Sequence, residues 1–495
     1  MANLKSLAKD TAIYGLSSIV GRFLNYLLFP LYTHVIPAAS GGNGVITNVY
    51  AYTALLLVVL TFGMETTLFR FINREDETNP TRVYTTTLTA VGTIGIIFLA
   101  IISLNLGGIS TWMGYAEHPE YIWMMAIVIA LDAFQAIPYA YLRYLKRPLK
   151  FAALKLGFIA LNILLNLLAF LVLPALIEGY EIKVGYAFAI NLICTSIITF
   201  GFWKELFGVR WQFDFGLLKR MLRYAWPILV FGIAGILNQT ADKMILPFLL
   251  PGLEGQVQLG IYSAAFKLAM IMALITTAFR YAYEPFVFAA AKNDDENDKR
   301  KTYALTMKFF LIFTLFAFLA VIAYMDILKY MTGRDYWEGL RVVPVIMVAE
   351  ILMGIYFNLS FWYKLTDRTI WGAWFSGAGC AVLLIVNFFF IPQYGYVACA
   401  WAGVAGYGTA TLLSYFVGQH YYPIPYPMKE MAKYVALAAM AFAAIYAAEY
   451  LLPETWMHLA FNTLVLILFL AYVVKTDLPL ASLPVVGKYF RKNNV

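Results

Sequence analysis

Charge is scarce in this chain. Only 13% of its 495 residues are Asp, Glu, Lys or Arg, against roughly a quarter in an ordinary soluble domain. A water-soluble core of this size needs a polar shell, and these polar residues are too few and too clustered to make one. Cysteine is rarer still: Cys194, Cys380 and Cys399 all fall inside apolar runs. None has metal-ligand or redox spacing, so packing roles are expected and a metal or redox centre is not. The polar opening Met1–Asp10 leads straight into a long apolar run. A short apolar stretch followed by a small-residue cleavage site is missing, so no cleavable signal peptide is expected. The chain carries no G-x-x-x-x-G-K-[ST] loop and no inter-run loop long enough to fold by itself, so an ATP-driven motor would have to be another protein.

What is present is apolar sequence in long blocks. The mean hydropathy is +0.72 and 62% of residues are hydrophobic. Runs of about 18 or more apolar residues read as membrane-spanning helices. Fourteen are expected, at 11–37, 44–72, 82–105, 120–142, 150–174, 184–204, 222–250, 258–288, 303–326, 339–363, 370–391, 395–418, 430–452 and 456–474. Aromatics make up 17%, as interfacial belts require. The fold class is all-α integral membrane.

The net charge of +8 is no sign of nucleic acid, because it sits in short loops. With the first residue inside, alternate loops hold Arg70, Arg74 and Arg82, then Arg143, Lys146, Arg147 and Lys150. Next come Lys204, Arg210, Lys219, Arg220 and Arg223, then Lys292, Lys299, Arg300 and Lys301. The opposite loops hold only Lys183, Lys329, Arg334 and Arg341. Lys and Arg accumulate on the cytoplasmic side, so both termini are expected there, with the tail 479–495 either on the inner leaflet or frayed.

The chain repeats itself. Gly185-Tyr186-Ala187-Phe188-Ala189 matches Gly395-Tyr396-Val397-Ala398-Cys399-Ala400, each shortly after a proline (Pro174, Pro392). Asp132 precedes Lys146 by the same interval as Glu350 precedes Lys364, and Tyr14 and Tyr224 open comparable runs. Six runs per half preserve orientation, so the halves are related by an axis along the membrane normal. The expected organisation is an N-terminal lobe, 1–206, and a C-terminal lobe, 207–420, followed by two added helices, 421–478, and a cytoplasmic tail, 479–495. Mid-run prolines Pro30, Pro138, Pro227, Pro247, Pro285 and Pro344 are candidate kinks.

Charges inside the runs carry most of the information, since each costs at least ~2.5–3.5 kcal/mol at the bilayer centre and so faces protein or water. Arg22, Asp132 and Glu350 are near the middle of their runs; Lys267 lies well inside its own, and Asp242-Lys243 interrupts another after Asn238-Gln239-Thr240. Each has a plain alternative. Arg22 and Asp132 pair to fix helix packing, or they face a cavity. Lys267 snorkels to an interface, or it stays inside. Asp242 and Lys243 lie either deep or near the outer surface. Arg280 and Glu284 are one turn apart and suited to a local pair, while Glu65 and Arg70 lie toward the inner end of their run.

The stretch Tyr14-Gly15-Leu16-Ser17-Ser18-Ile19-Val20-Gly21-Arg22-Phe23-Leu24-Asn25, followed by Pro30-Leu31-Tyr32-Thr33 and Phe62-Gly63-Met64-Glu65-Thr66-Thr67-Leu68-Phe69-Arg70-Phe71, resembles the polysaccharide-transporter family of bacterial oligosaccharide-lipid flippases. Thr240-Ala241-Asp242-Lys243-Met244-Ile245-Leu246 and Gly260-Ile261-Tyr262-Ser263-Ala264-Ala265-Phe266-Lys267 are similar to the family's seventh and eighth helices, with Lys243 where the family pattern has Arg. This family shares a superfamily with the multidrug-and-toxin extruders and the peptidoglycan-precursor flippases. The resemblance implies two six-helix lobes around a partly cationic cavity, alternating access, and a non-enzymatic role in the inner membrane.

Its implied cargo is a polyprenyl-diphosphate-linked oligosaccharide for surface polysaccharide such as lipopolysaccharide. Arg22, Lys267 and Arg280 would attract the diphosphate. Asn25, Gln135, Asn238 and Gln239 would bond sugar hydroxyls. Asp132 and Glu350, with Glu65, Asp242 and Lys243, would serve coupling or gating. No cofactor is expected; coupling to H+ or Na+ stays open, as does partnership with polysaccharide polymerase machinery. A drug exporter on the same fold is the main alternative, although it should prefer an acidic cavity. A membrane-embedded polymerase or ligase would need a large outer loop, and the Glu117-His118 pair is too isolated to build a site on.

Overall fold

The computed structural model describes residues 26, 28–73, 79–290, 296–366, 368–452 and 454–477, without the side chains of 281–290 and 365. The regular structure of the described residues is all helical, with no strand. The main helices are α1 Leu28–Val35, α2 Gly42–Thr61, α3 Met64–Ile72, α4 Pro80–Leu104 and α5 Pro119–Tyr144. Next come α6 Pro148–Leu167, α7 Gly185–Phe200, α8 Phe215–Leu249, α9 Leu253–Ala290 and α10 Glu296–Ala323. The last are α11 Val343–Leu359, α12 Ile370–Tyr394, α13 Tyr396–Tyr421, α14 Met428–Leu451 and α15 Thr455–Thr476.

Twelve of the described helical stretches are long and apolar enough to cross a membrane, and Gly185–Phe200 is a shorter apolar helix. These thirteen match thirteen of the fourteen expected runs. The first run, 11–37, is described only from residue 26. The chain is a multi-pass helical membrane protein.

Local chemistry sets the helix ends. Pro80, Pro119 and Pro148 each occupy the first turn of their helices, where the missing N–H has no intrahelical partner to lose. Asn79 caps α4 by accepting from the Arg82 N–H at 3.2 Å, and Asp214 caps α8 by accepting from the Leu217 N–H at 2.9 Å. One run has an internal break and one sequence expectation needs correction. The run 44–72 corresponds to a single candidate span, Gly42–Ile72, broken inside where Phe62 (φ 50°) and Gly63 (φ 65°) both take left-handed conformations between α2 and α3. Pro344 is no mid-helix kink: a 3-10 stretch, Arg334–Val342, precedes it and it lies in the first turn of α11. Pro138, Pro227 and Pro247 do lie inside α5 and α8.

The chain forms two compact units. The first comprises Met1–Ala264, Thr332–Glu338 and Leu383–Cys399; the second comprises Ala265–Met331, Gly339–Val382 and Ala400–Val495. In the first unit α5 is the hub, packed on α2, α4 and α7. One apolar cluster joins Met64, Leu68, Tyr84, Leu88, Ile137, Tyr141 and Met221, with Tyr84 and Tyr141 stacked at 3.9 Å. In the second unit α10 packs on α11, α14 and α15. There Lys308 is buried, and its ammonium donates to Asp477 at 2.6 Å and to Glu430, while Tyr434 also donates to Asp477. The other end of the pair α14–α15 is tied as well. Asn462 donates to the Ala323 carbonyl at 3.0 Å, and Tyr324 and Thr463 share a hydrogen bond of 3.0 Å.

Candidate functional site

In the first unit, Asp132 sits at the middle of α5, about 20 Å along the helix from its start at 1.5 Å per residue. Thr195 of α7 donates to its Oδ1 at 3.4 Å. One turn along, Gln135 donates to the Thr195 carbonyl at 3.0 Å and to Thr199 Oγ1 at 2.8 Å. Its amide therefore ties α5 to α7. Tyr50 accepts from Asn191 at 2.8 Å on the same side of α7.

Lys155 of α6 is the residue the sequence reading passed over. Its ammonium lies 4.1 Å from the Tyr139 ring centroid and interacts electrostatically with both Asp132 and Glu65. Glu65 in turn is ion-paired with Arg143, whose guanidinium lies 4.9 Å from the Phe69 ring. Acid and base alternate from Asp132 through Lys155 and Glu65 to Arg143, so the group is neutral as a whole. Low dielectric penalises a lone charge far more than an answered one. The signal for Lys155 was available: a cation inside an apolar run, as at Lys267. A second buried acid, Glu205, was also passed over. Its side chain is 2% exposed and accepts from Lys150, with Arg147 3.7 Å away.

Asp242 and Lys243, near the end of α8, form a closed cluster. Lys243 Nζ is 3.1 Å from Asp242 Oδ1 and donates to the Gln239 carbonyl at 2.8 Å. Tyr262 donates to Asp242 Oδ2 at 2.6 Å, and Asn48 donates to the Lys243 carbonyl at 2.9 Å. Tyr115 and Gln256 extend the network through Asn48. Close backbone approach makes it compact: a Cβ on Gly44 would stand 1.8 Å from the Gln256 carbonyl oxygen. Asn238 donates back to Ala234, and Gln239 is exposed.

In the second unit, Arg280 lies over the Phe357 ring at 5.1 Å. With Thr276, Asn358, Phe279 and Phe310 it lines a cavity of about 10 Å³, room for about one water. Thr276 Oγ1 and Asn358 Oδ1 are buried there with no hydrogen-bond partner among the described residues. Glycine makes the space: a Cβ on Gly354 would meet Phe310 at 2.3 Å and Thr276 at 2.8 Å. Glu350, one turn before Gly354 on the same face of α11, is 7% exposed. Lys267 is half-buried. Arg22 and Asn25 lie outside the described residues, as does the Glu284 side chain. No cluster of His, Cys, Asp and Glu able to hold a metal occurs among the described residues.

Solved structures share this bundle of apolar helices. The lipid II flippase MurJ in an inward closed conformation is similar with a TM-score of 0.73 at 13% identity, over 93% of this chain and 98% of that one. An inward-facing multidrug-resistance MATE family transporter of the MOP superfamily gives 0.61 at 15% identity, over 80% and 93%. The MATE multidrug transporter DinF-BH gives 0.55 at 16% identity, over 84% and 96%. No curated protein matches. The family described as polysaccharide biosynthesis protein matches residues 42–339, and the chain belongs to that family.

Proposed function

We propose that this chain is a flippase carrying a polyprenyl-diphosphate-linked oligosaccharide from the inner to the outer leaflet of the bacterial cytoplasmic membrane, by alternating access, for O-antigen, capsule or exopolysaccharide assembly. Membership of a polysaccharide biosynthesis family carries this reading. The physical task suits the chemistry of the spans. A diphosphate and a sugar cannot cross hydrocarbon unaided, since unpaired charge in low dielectric costs tens of kcal/mol by Born estimates. The polyprenyl tail stays in lipid and needs no protein.

In this reading Arg280, with Lys267 and Arg22, attracts the diphosphate, and Asn25, Gln135, Asn238 and Gln239 meet sugar hydroxyls. Gln135 would first have to release its bonds to Thr195 and Thr199. Asp132 and Glu350 are the carboxylates for coupling to H+ or Na+, with Glu65, Asp242 and Lys243 in gating. Both termini are cytoplasmic by the distribution of Lys and Arg, and a polysaccharide polymerase consumes the flipped product. No bond of the cargo breaks. A multidrug exporter of organic cations is the competing reading, and cations such as Arg280 and Lys267 suit an anionic cargo better.

The test is translocation of a fluorescent polyprenyl-diphosphate oligosaccharide in proteoliposomes, with Arg22→Ala and Arg280→Gln alongside. Protein-dependent flipping that both variants lose is expected. Flipping undiminished in both, at equal protein abundance, removes the cationic site. No flipping with the cognate glycan and ion gradients supplied, together with altered drug sensitivity in cells, replaces the reading with the drug exporter.

A further inference from the structure

We infer that the second unit carries a binding site for the phosphate of an anionic phospholipid, where the start of α10 meets the turn between α13 and α14. A cavity of about 430 Å³ opens there, lined by Asn297, Arg300, Lys301, Gln419 and the segment Pro423, Ile424 and Pro425. One wall is basic and the other apolar. No acidic side chain is among these lining residues.

Arg300 is held in place rather than free to wander. Its guanidinium lies 4.6 Å from the centroid of the Tyr422 ring. The Tyr422 hydroxyl donates to Glu296 Oε2 at 2.7 Å, which fixes the ring. Arg300 Nε is buried and makes no hydrogen bond among the described residues; Glu296 Oε2, 4.0 Å away, is an ion-pair partner but lies beyond hydrogen-bonding reach. A buried guanidinium N–H without an acceptor is costly, and a phosphate oxygen is the acceptor its fork geometry suits. Lys301 stands beside it, 69% exposed; its ammonium is 3.6 Å from Asp298 Oδ1, and a solvent-exposed pair of this kind is weak enough for a phosphate to compete for the cation. Gln419 spends one amide hydrogen on the Ile424 carbonyl at 2.9 Å and shapes the turn that forms the apolar wall.

The position selects a lipid over a free anion. Lys308, further along α10, meets Glu430 at the start of α14 and Asp477 just past α15. Helix ends therefore mark a polar boundary at Lys308. Arg300 lies about 12 Å beyond it along the helix, at 1.5 Å per residue, within reach of the headgroup layer flanking the hydrocarbon. Basic pockets between helix ends on the cytoplasmic side are a known chemistry for anionic headgroups. The Pro423-Ile424-Pro425 wall gives the glycerol and first acyl carbons an apolar surface that inorganic phosphate has no use for.

Native mass spectrometry of the full chain in detergent tests this, with phosphatidylglycerol or phosphatidylcholine added. Retention of phosphatidylglycerol about tenfold over phosphatidylcholine is expected, as one charge-assisted hydrogen-bond pair is worth about that factor. Lys301→Gln, an exposed change that leaves folding intact, should cut that preference several-fold, and Arg300→Lys should abolish most of it, because lysine lacks the fork. Equal retention of the two lipids, or an unchanged preference in both variants, overturns the site. Displacement of phosphatidylglycerol by millimolar inorganic phosphate or glycerol phosphate overturns the lipid assignment in favour of a soluble anion.

Discussion

Two polar groups, one in each unit, handle burial in opposite ways. In the first, charges set deep in the helices have answering charges from the same unit: Asp132 and Glu65 with Lys155, Glu65 again with Arg143, Asp242 with Lys243. In the second, Thr276 and Asn358 turn polar oxygens toward a small cavity beside Arg280 and find no partner among the described residues. A neutralised network holds helices in register and resists change. Polar atoms left waiting beside a cation suit a place where something else binds. The difference assigns the first set a stiffening role that lasts until coupling or gating breaks its pairs, and the second a receptive role.

The largest expected effect tests the stiffening role. Lys155→Met removes the cation that interacts with both Asp132 and Glu65, and should destabilise the protein by up to about 3 kcal/mol, the upper end of the usual range for a damaging substitution. Thermal unfolding in detergent reads this out. Lys155→Met combined with Asp132→Asn should recover most of the loss, because the uncompensated charge is then gone. Loss with no recovery would mean that Lys155 acts alone. Arg280→Gln should do the reverse. Unfolding temperature should stay within a few degrees while glycolipid flipping falls about 100-fold, which is about 2.7 kcal/mol of lost stabilisation. Equal loss of stability in the two variants would erase the contrast between the two groups.

A structural change without charge sharpens the same point. Gly44→Ala places a methyl 1.8 Å from the Gln256 carbonyl oxygen. The backbones of α2 and α9 must separate, at a cost of about 1–3 kcal/mol. The Asp242–Lys243 cluster should loosen with them, read as faster hydrogen exchange at residues 240–246. Exchange unchanged there would show the cluster to be independent of the glycine contact.

Much of this was legible in the sequence. Helix placement follows from the cost of exposing backbone polar groups to lipid, which leaves long apolar runs a single conformation; thirteen runs therefore align with described helices. The break at Phe62–Gly63 was hidden because it replaces no apolar residue; only the backbone turns. The candidate site was less legible. Asp132 was visible as a central acid, but its companions Lys155 and Glu65 come from other helices, and helix adjacency is written in side-chain shape rather than in hydropathy. Gln135 looked like a sugar ligand, yet its amide is spent on Thr195 and Thr199. Lys308 lies inside the run 303–326 and was not singled out, and only its meeting with Glu430 and Asp477 from distant helix ends explains its burial.

That meeting gives the smallest effect, and a sign that can be worked out. Burial alone would push the Asp477 carboxyl up, but the Lys308 ammonium and the Tyr434 hydroxyl outweigh it and hold the carboxyl below the usual carboxylate range. A depressed folded value means that the stabilisation is fully present above the unfolded value and is lost as pH falls through the folded one. Acidification below about pH 4 should therefore weaken the attachment of α14 and α15 to α10. Limited proteolysis in the segment joining α13 to α14, followed from pH 7 to pH 3, should show cleavage rising at the acid end. Asp477→Asn should cleave at the acid rate already at pH 7. An acid-induced rise of the same size in Asp477→Asn would place the titrating group elsewhere, with Glu430, the other carboxylate paired with Lys308, the first candidate.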